Sequence, residues 1–182
     1  RGNLPAPKNI NHIVGDRSND EDLKQLSDKG FDLIVDSSGR KLEDTKKVLE
    51  FTGIPSFRFV YVSSAGVYAN PEFFPLSENT PIDPKSRHIG KANTEFWLRS
   101  EGIPFTSFRP TYIYGPGNYN PIEAWFFDRI TNDRPIPMPG DGQAITQLGH
   151  VSDLADIHLI STKYLLNNGG ADWQKNLLSY GF

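Results

Sequence analysis

The sequence predicts an α/β fold built on a doubly wound parallel sheet, with a small C-terminal region beyond it. Two observations carry that reading. Short apolar runs of strand type alternate with amphipathic stretches of helical length, and glycines and capping residues punctuate the changes. The 182 residues, 37% hydrophobic and 23% charged, also suit a soluble globular protein with one core.

The elements follow in order. Asn11-His12-Ile13-Val14 reads as a short strand ending at Gly15-Asp16-Arg17. Ser18-Asn19-Asp20-Glu21 reads as a capping box, in which a hydroxyl and a carboxylate satisfy free helix amides. The helix it opens carries Leu23 and Leu26 on one face and ends at Gly30. Phe31-Asp32-Leu33-Ile34-Val35 is an apolar run of buried-strand type. A helix is expected from about Leu42 to Phe51, then a strand over Phe57-Arg58-Phe59-Val60-Tyr61-Val62 that delivers Ser63-Ser64. The next helix runs from about Lys85 to Ser100 and stops at Gly102. Phe105-Thr106-Ser107-Phe108 is another strand and leads into Arg109-Pro110-Thr111. Glu123 to Thr131 is helical, and Ser152 or Asp153 caps a last helix over Leu154 to Leu166. The tail from Asn167 is polar, with Trp173 as its one large anchor.

Composition narrows the function classes. Cysteine is absent, which removes disulfides and thiolate metal sites. The formal net charge of −3 directs any nucleic-acid binding to a local basic patch. No apolar run reaches membrane-spanning length. Arg1 to Pro7 reads neither as a signal core nor as a convincing transit peptide. A dinucleotide fold of this type opens with a strand and a Gly-rich turn that seats the pyrophosphate on a helix N-terminus. Neither G-x-G-x-x-G nor G-x-x-G-x-x-G occurs in this sequence. The expectation is that the first strand, the Gly-rich loop and the first helix are missing; the alternative is a divergent fold without that loop.

Five ordered segments carry a resemblance. They are Gly15-Asp16, then Val62-Ser63-Ser64-Ala65-Gly66-Val67-Tyr68, then Arg109-Pro110-Thr111-Tyr112-Ile113-Tyr114-Gly115-Pro116-Gly117. Arg134-Pro135-Ile136-Pro137 with Gly140-Asp141-Gly142 comes next, then His150-Val151-Ser152-Asp153-Leu154-Ala155. Together they resemble the epimerase and dehydratase branch of the extended short-chain dehydrogenase/reductase superfamily. The resemblance implies a Rossmann-like domain over 1–115, a mostly substrate-side region over 116–150 that includes a hairpin at the fourth segment, and over 151–182 a helix returning to the core plus a tail. It puts Asp16 near the adenine, Ser64 at the catalytic Ser or Thr position, and Pro110 and Thr111 in the segment that passes the nicotinamide.

The catalytic pattern of that branch is a Tyr with a Lys four residues later, on one helix face, where the Lys lowers the phenol's pKa. Lys91 is present, but Arg87 stands in the Tyr position. A guanidinium stays protonated and cannot act as the acid or base. Neighbouring His88 is rotated about 100° away on a helix, and Tyr68 is a stand-in only if the fold brings it there. Thr146 occupies the position where sugar-nucleotide enzymes of the branch hold the diphosphate with an Arg.

These departures, with Asp83-Pro84-Lys85-Ser86-Arg87-His88-Ile89-Gly90-Lys91, Asn118-Tyr119-Asn120-Pro121, Trp125-Phe126-Phe127 and Thr146-Gln147-Leu148-Gly149-His150-Val151, resemble the chloroplast stem-loop-binding proteins. So does Phe31 to Asp36 followed by Gly39-Arg40. The resemblance spans about residues 11–160. It implies a protein of the chloroplast stroma or cyanobacterial cytoplasm that binds structured RNA, with endonuclease activity using a divalent metal, and it does not identify the nuclease residues.

Each candidate site has two readings. Lys85, Arg87, His88 and Lys91, with Arg99 on the same helix, form either a phosphate-binding patch or a solvated helix face plus a leftover cofactor lysine. Asp16, Ser64, Lys91, Pro110 and Thr111 would meet NAD(P) if that site survives; without the Tyr, Ser64 reads as a relic packed at a strand end. Asp16 and Asp36 end successive strands and could hold Mg²⁺, but adenosine contact for Asp16 and loop capping for Asp36 are preferred. His150 reads as structural, and His12 and His158 as satisfied or surface side chains. Trp125-Phe126-Phe127 reads as core, or else as a stacking or docking surface. Three functions follow: a catalytically degenerate RNA-binding protein, an NAD(P)-dependent epimerase or reductase with altered acid–base groups, and a structural or assembly subunit of a larger plastid complex. A homo-oligomer fits any of them.

Overall fold

The structure, a computed structural model, describes residues 8–69, 74–118 and 120–167. The opening segment Arg1 to Pro7, Tyr119 and Trp173 lie outside the described residues. The chain forms two compact units, Arg1–Ser63 with Arg87–Phe108, and Ser64–Ser86 with Arg109–Phe182.

The first unit begins with two departures from expectation. Asn11-His12-Ile13-Val14 forms no strand and is exposed, Val14 at 78%. A strand needs a neighbour for its N–H and C=O groups, and among the described residues these four pair with none. Asn19, not Ser18, caps helix α1 (Asp20–Leu23), its Oδ1 accepting the Glu21 N–H at 3.0 Å. Asp16 draws Ser18 away, taking its N–H at 2.8 Å and its hydroxyl at 2.7 Å. Glu21 pairs with Lys24 rather than completing a capping box. A 3₁₀ turn over Lys24–Leu26 follows α1, so helical structure stops short of Gly30.

Strand β1 (Leu33–Asp36) leads to helix α2 (Leu42–Thr52), strand β2 (Arg58–Val62), helix α3 (Ile89–Ser100) and strand β3 (Phe105–Phe108). The strands are parallel in the order β1-β2-β3, with Ile34 opposite Phe59 and Phe59 opposite Phe105. β2 is central, and its apolar run is buried along its length, which a strand flanked on both sides requires. Leu49 of α2, Phe59 and Tyr61 of β2, Leu98 of α3 and Ile103 form the core. Full burial of such a side chain is worth about 1.5–3 kcal/mol. α2 and α3 pack against each other. Gly102 (φ +64°) follows α3 in the left-handed conformation that suits a residue without a Cβ.

α3 begins at Ile89, not near Lys85. Asp83 closes a turn instead, with its side chain accepting the Lys85 N–H and its carbonyl the Ser86 N–H. Arg87 therefore precedes the helix, and the face-sharing argument for Arg87 and Lys91 loses its helical footing.

In the second unit, β4 (Tyr112–Tyr114), α4 (Ile122–Thr131), β5 (Leu148–His150) and α5 (Val151–Asn167) follow in order. β4 and β5 are parallel, with Tyr114 opposite His150. α5 starts directly after β5, so Ser152 and Asp153 lie inside its first turn, and His150 Nδ1 accepts the Ser152 N–H at 3.3 Å. The expected hairpin at 134–142 is absent. Residues 134–139 and 143–147 are exposed and without strand pairing, and a turn closed by the Gly142 N–H on the Pro139 carbonyl joins them. Leu148 to His150 finds its ladder on β4 instead.

Candidate functional site

Three consecutive residues, Gly15-Asp16-Arg17, meet the carboxyl end of β1. Arg17 donates to both oxygens of Asp36, at 2.6 and 2.9 Å, and also to the Ser38 hydroxyl and the Asp44 carbonyl. Asp36 further accepts the Ser38 and Gly39 N–H groups and the Thr45 hydroxyl. Burial pushes its carboxyl pKa up, but Arg17, the Gly39 amide and Thr45 outweigh that and hold it below the ordinary value. Asp16 stays in water, its pKa lowered by the Ser18 N–H and hydroxyl. Both carboxylates border a cavity of about 420 Å³ whose other walls include Ile13, Leu23, Val35 and Ser38.

This geometry corrects the Mg²⁺ pairing of Asp16 and Asp36. Both Asp36 oxygens are taken by a guanidinium, and a cation would have to displace Arg17. Among the described residues no three His, Cys, Asp or Glu side chains gather as a metal set. Loop capping describes Asp36. The role of Arg17 was missed, although a cation after Gly-Asp and an Asp at the next strand end were its signals.

β2 ends by delivering Ser63, which is buried. At the start of α3, the Lys91 ammonium donates to the Val62 carbonyl and lies 5.3 Å from the centre of the Tyr61 ring. Burial lowers its pKa, and Arg40 and Arg17 add to that against the pull of Asp36 and Glu95. Arg87 is exposed, and its Nε donates to His88 Nε2 at 3.0 Å. An imidazole nitrogen that accepts carries no proton. Burial, then Arg87, Lys91 and Arg40, push the His88 pKa down in agreement. The positive charge here therefore sits on the arginines and Lys91, not on the imidazole.

The other candidates belong to the second unit. Ser64 caps the Ala65–Val67 turn, its Oγ accepting the Gly66 N–H at 3.1 Å. Pro110 supplies a carbonyl to the Ala65 N–H. Thr111 is half-buried, and Lys85 and Thr146 are exposed. Tyr68 packs its ring under the Arg109 guanidinium at 4.8 Å. His150 is structural, as expected. Its ring meets Tyr114 edge-on and fills the space where a Cβ on Gly115 (φ +114°) would stand. Trp125, Phe126 and Phe127 are 41%, 43% and 65% exposed, which overturns the core reading. Arg129 covers the Trp125 ring at 4.2 Å.

The sequence holds no G-x-G-x-x-G or G-x-x-G-x-x-G turn.

Residues 34–169 match the NAD dependent epimerase/dehydratase family. The chain belongs to that family. Among curated proteins it is 49% identical over 152 residues to the Arabidopsis thaliana chloroplast stem-loop binding protein of 41 kDa b. That match takes in 82% of this chain and 40% of the relative, so the chain spans less than half the length of that protein. Among solved structures, the Thermus thermophilus UDP-glucose 4-epimerase, determined with NAD, superposes with a TM-score of 0.68 at 21% identity. That superposition covers 86% of this chain and 61% of the epimerase. The Bordetella bronchiseptica enzyme WbmH, determined with NAD⁺, gives 0.67 at 23% identity over 86% of this chain and 57% of its own. At these identities the structures establish the Rossmann-like fold, and the stem-loop-binding relative bears out the sequence resemblance. Among the described residues no helix is long and apolar enough to cross a membrane.

Proposed function

We propose that the chain is a catalytically degenerate, epimerase-fold module that binds structured RNA in the chloroplast through a cationic surface at the start of α3. The observation that carries this reading is the Arg87–His88–Lys91 arrangement. An exposed guanidinium stands where the family's chemistry needs a phenol, its Nε is turned onto a neutral imidazole, and the half-buried Lys91 ammonium, held by the Val62 carbonyl, follows four residues on in the sequence. The Arg87 guanidinium attracts phosphate and cannot act as the proton-transferring group at neutral pH. The name of the Arabidopsis relative, a chloroplast stem-loop binding protein, supports the ligand and the compartment. Lys85, two positions before Arg87 in the sequence, is itself an exposed cation. Asp16 and Asp36 do not fit a divalent metal, so no cleavage step is derived from them.

The test is filter binding of a labelled stem-loop RNA across a salt series. Reversal of Lys85, Arg87 or Lys91 to Glu is expected to weaken binding and to lower the log–log salt slope by about 1 for each phosphate no longer neutralised. Turnover of a sugar nucleotide with bound dinucleotide would overturn the reading. A second reading, a docking subunit of a larger assembly, rests on the exposed Trp125, Phe126 and Phe127. It predicts that a partner protein buries this trio.

A further inference from the structure

We infer that the RNA-binding surface includes Arg40 and Lys41, which the loop after β1 carries against the first turn of α3, so that a polynucleotide backbone is gripped from two elements. This rests on the RNA-binding reading above and extends it to residues distant in sequence.

The loop is fixed from several sides. Asp36 holds the Ser38 and Gly39 amides, and the Tyr61 hydroxyl donates to the Gly39 carbonyl at 3.1 Å. Gly39 has no room for a side chain, since a Cβ there would stand 2.7 Å from Asp36 Oδ2 and 2.8 Å from Thr45 Oγ1. The Arg40 and Lys41 N–H groups both donate to one oxygen of Asp44, at 3.0 and 3.1 Å. The approach to α3 decides the placement. The Arg40 carbonyl lies 2.6 Å from where a Cβ on Gly90 would be, and Lys41 Cα lies 3.2 Å from it. Gly90 sits between His88 and Lys91, so its missing side chain lets the loop seat directly on the cationic turn. Arg40 and Lys41 are both exposed. Of the nearby carboxylates, Asp36 is paired with Arg17, Glu95 is buried, Asp44 accepts the Arg40 and Lys41 amides, and Glu43 beside it is exposed. Arg40, Lys41, Arg87 and Lys91 thus gather like charge on a protein whose net charge is −3. Such gathering is unfavourable until an anion meets it, and several cations from two elements match a chain of phosphates better than one phosphate.

The experiment uses the 182-residue chain, a labelled stem-loop RNA and a salt titration. The variants are Arg40→Gln/Lys41→Gln, Arg40→Glu/Lys41→Glu, Arg87→Gln/Lys91→Gln, and Lys29→Glu as a control at the far end of β1. Thermal unfolding checks that each is folded, and the Gln pair keeps the aliphatic stems. The expected result is a salt slope lowered by about 2 in the Gln pair, at least about tenfold weaker binding in the Glu pair, and no change for Lys29→Glu. If Arg87→Gln/Lys91→Gln lowers the slope and the Arg40/Lys41 variants do not, this inference is overturned while the earlier reading stands. If the unaltered chain shows no salt-dependent RNA binding, both fall.

Discussion

Replacing Asp36 with Asn removes one acceptor oxygen from a side chain that accepts from Arg17, Ser38, Gly39 and Thr45. The amide group of Asn keeps one carbonyl and puts an NH₂ where the other oxygen was. If the NH₂ takes the Oδ2 position, Arg17 Nη2 and the Thr45 hydroxyl lose their acceptor. If it takes the Oδ1 position, Arg17 Nη1 and the Ser38 and Gly39 amides lose theirs. Either way the Arg17 charge loses its counter-charge. Breaking a buried pair costs about 3–5 kcal/mol. The Asp36 side chain is 2% exposed and Arg17 24%. Arg17 also keeps the Ser38 hydroxyl and the Asp44 carbonyl, which places the cost at the low end, about 3 kcal/mol. For a chain of this size that is a fall in Tm of about 6–12 °C. The assay is urea unfolding with a parallel thermal scan of Asp36→Asn. The folded pKa of Asp36 lies below its ordinary 3.8, so its contribution is complete above that pH and is lost as pH falls through the folded value. The difference between the two proteins should stay level from about pH 5 to 8 and close in acid. A loss below about 1 kcal/mol at neutral pH would refute the assignment of Asp36 as the centre of this network.

Two further outcomes follow from the start of α3. Gly90→Ala sets a Cβ 2.6 Å from the Arg40 carbonyl, a clash of about 1–3 kcal/mol that outweighs the helix-propensity gain of at most about 1 kcal/mol. A lowered Tm is therefore expected, and a raised one would show that the loop moves aside freely. His88 has its pKa lowered from 6.5 first by burial and then by Arg87, Lys91 and Arg40, and a bound phosphate reverses those charge effects. RNA binding then takes up a proton. Affinity should rise as pH falls from about 7.5 to 6, and His88→Gln should flatten that profile.

Much of the scaffold is legible in the residues themselves. The run from Phe57 to Val62 and the segments at 42–51, 105–108 and 123–131 match observed elements within one or two residues, because apolar pattern and flanking breakers are local properties. What failed depends on partners. Asn11 to Val14 has strand-like residues but no paired neighbour among the described residues, and Leu148 to His150 went unread as a strand because its ladder partner lies far back in the chain. The start of α3 was misjudged because the Asp83 turn competes with helix for the same amides. At the site, Lys91 and Arg87 were found from spacing and resemblance. Arg17 and Asp36 were not paired, since nineteen positions separate them and only the folded loop aligns a guanidinium with that carboxylate.

Tyr61 carries the interior of the first unit into alkaline solution. Its ring is fully buried beneath Lys91, its hydroxyl is held by the Gly39 carbonyl, and burial pushes its pKa up to about 12. A phenol that ionises more easily unfolded than folded favours the folded state below pH 10, and that advantage drains as pH rises from 10 towards 12. Each pH unit in that window removes about 1.4 kcal/mol. In strong base the Tyr61 hydroxyl thus works against the β2 core that its ring helps to fill, and the stability of the first unit falls with it.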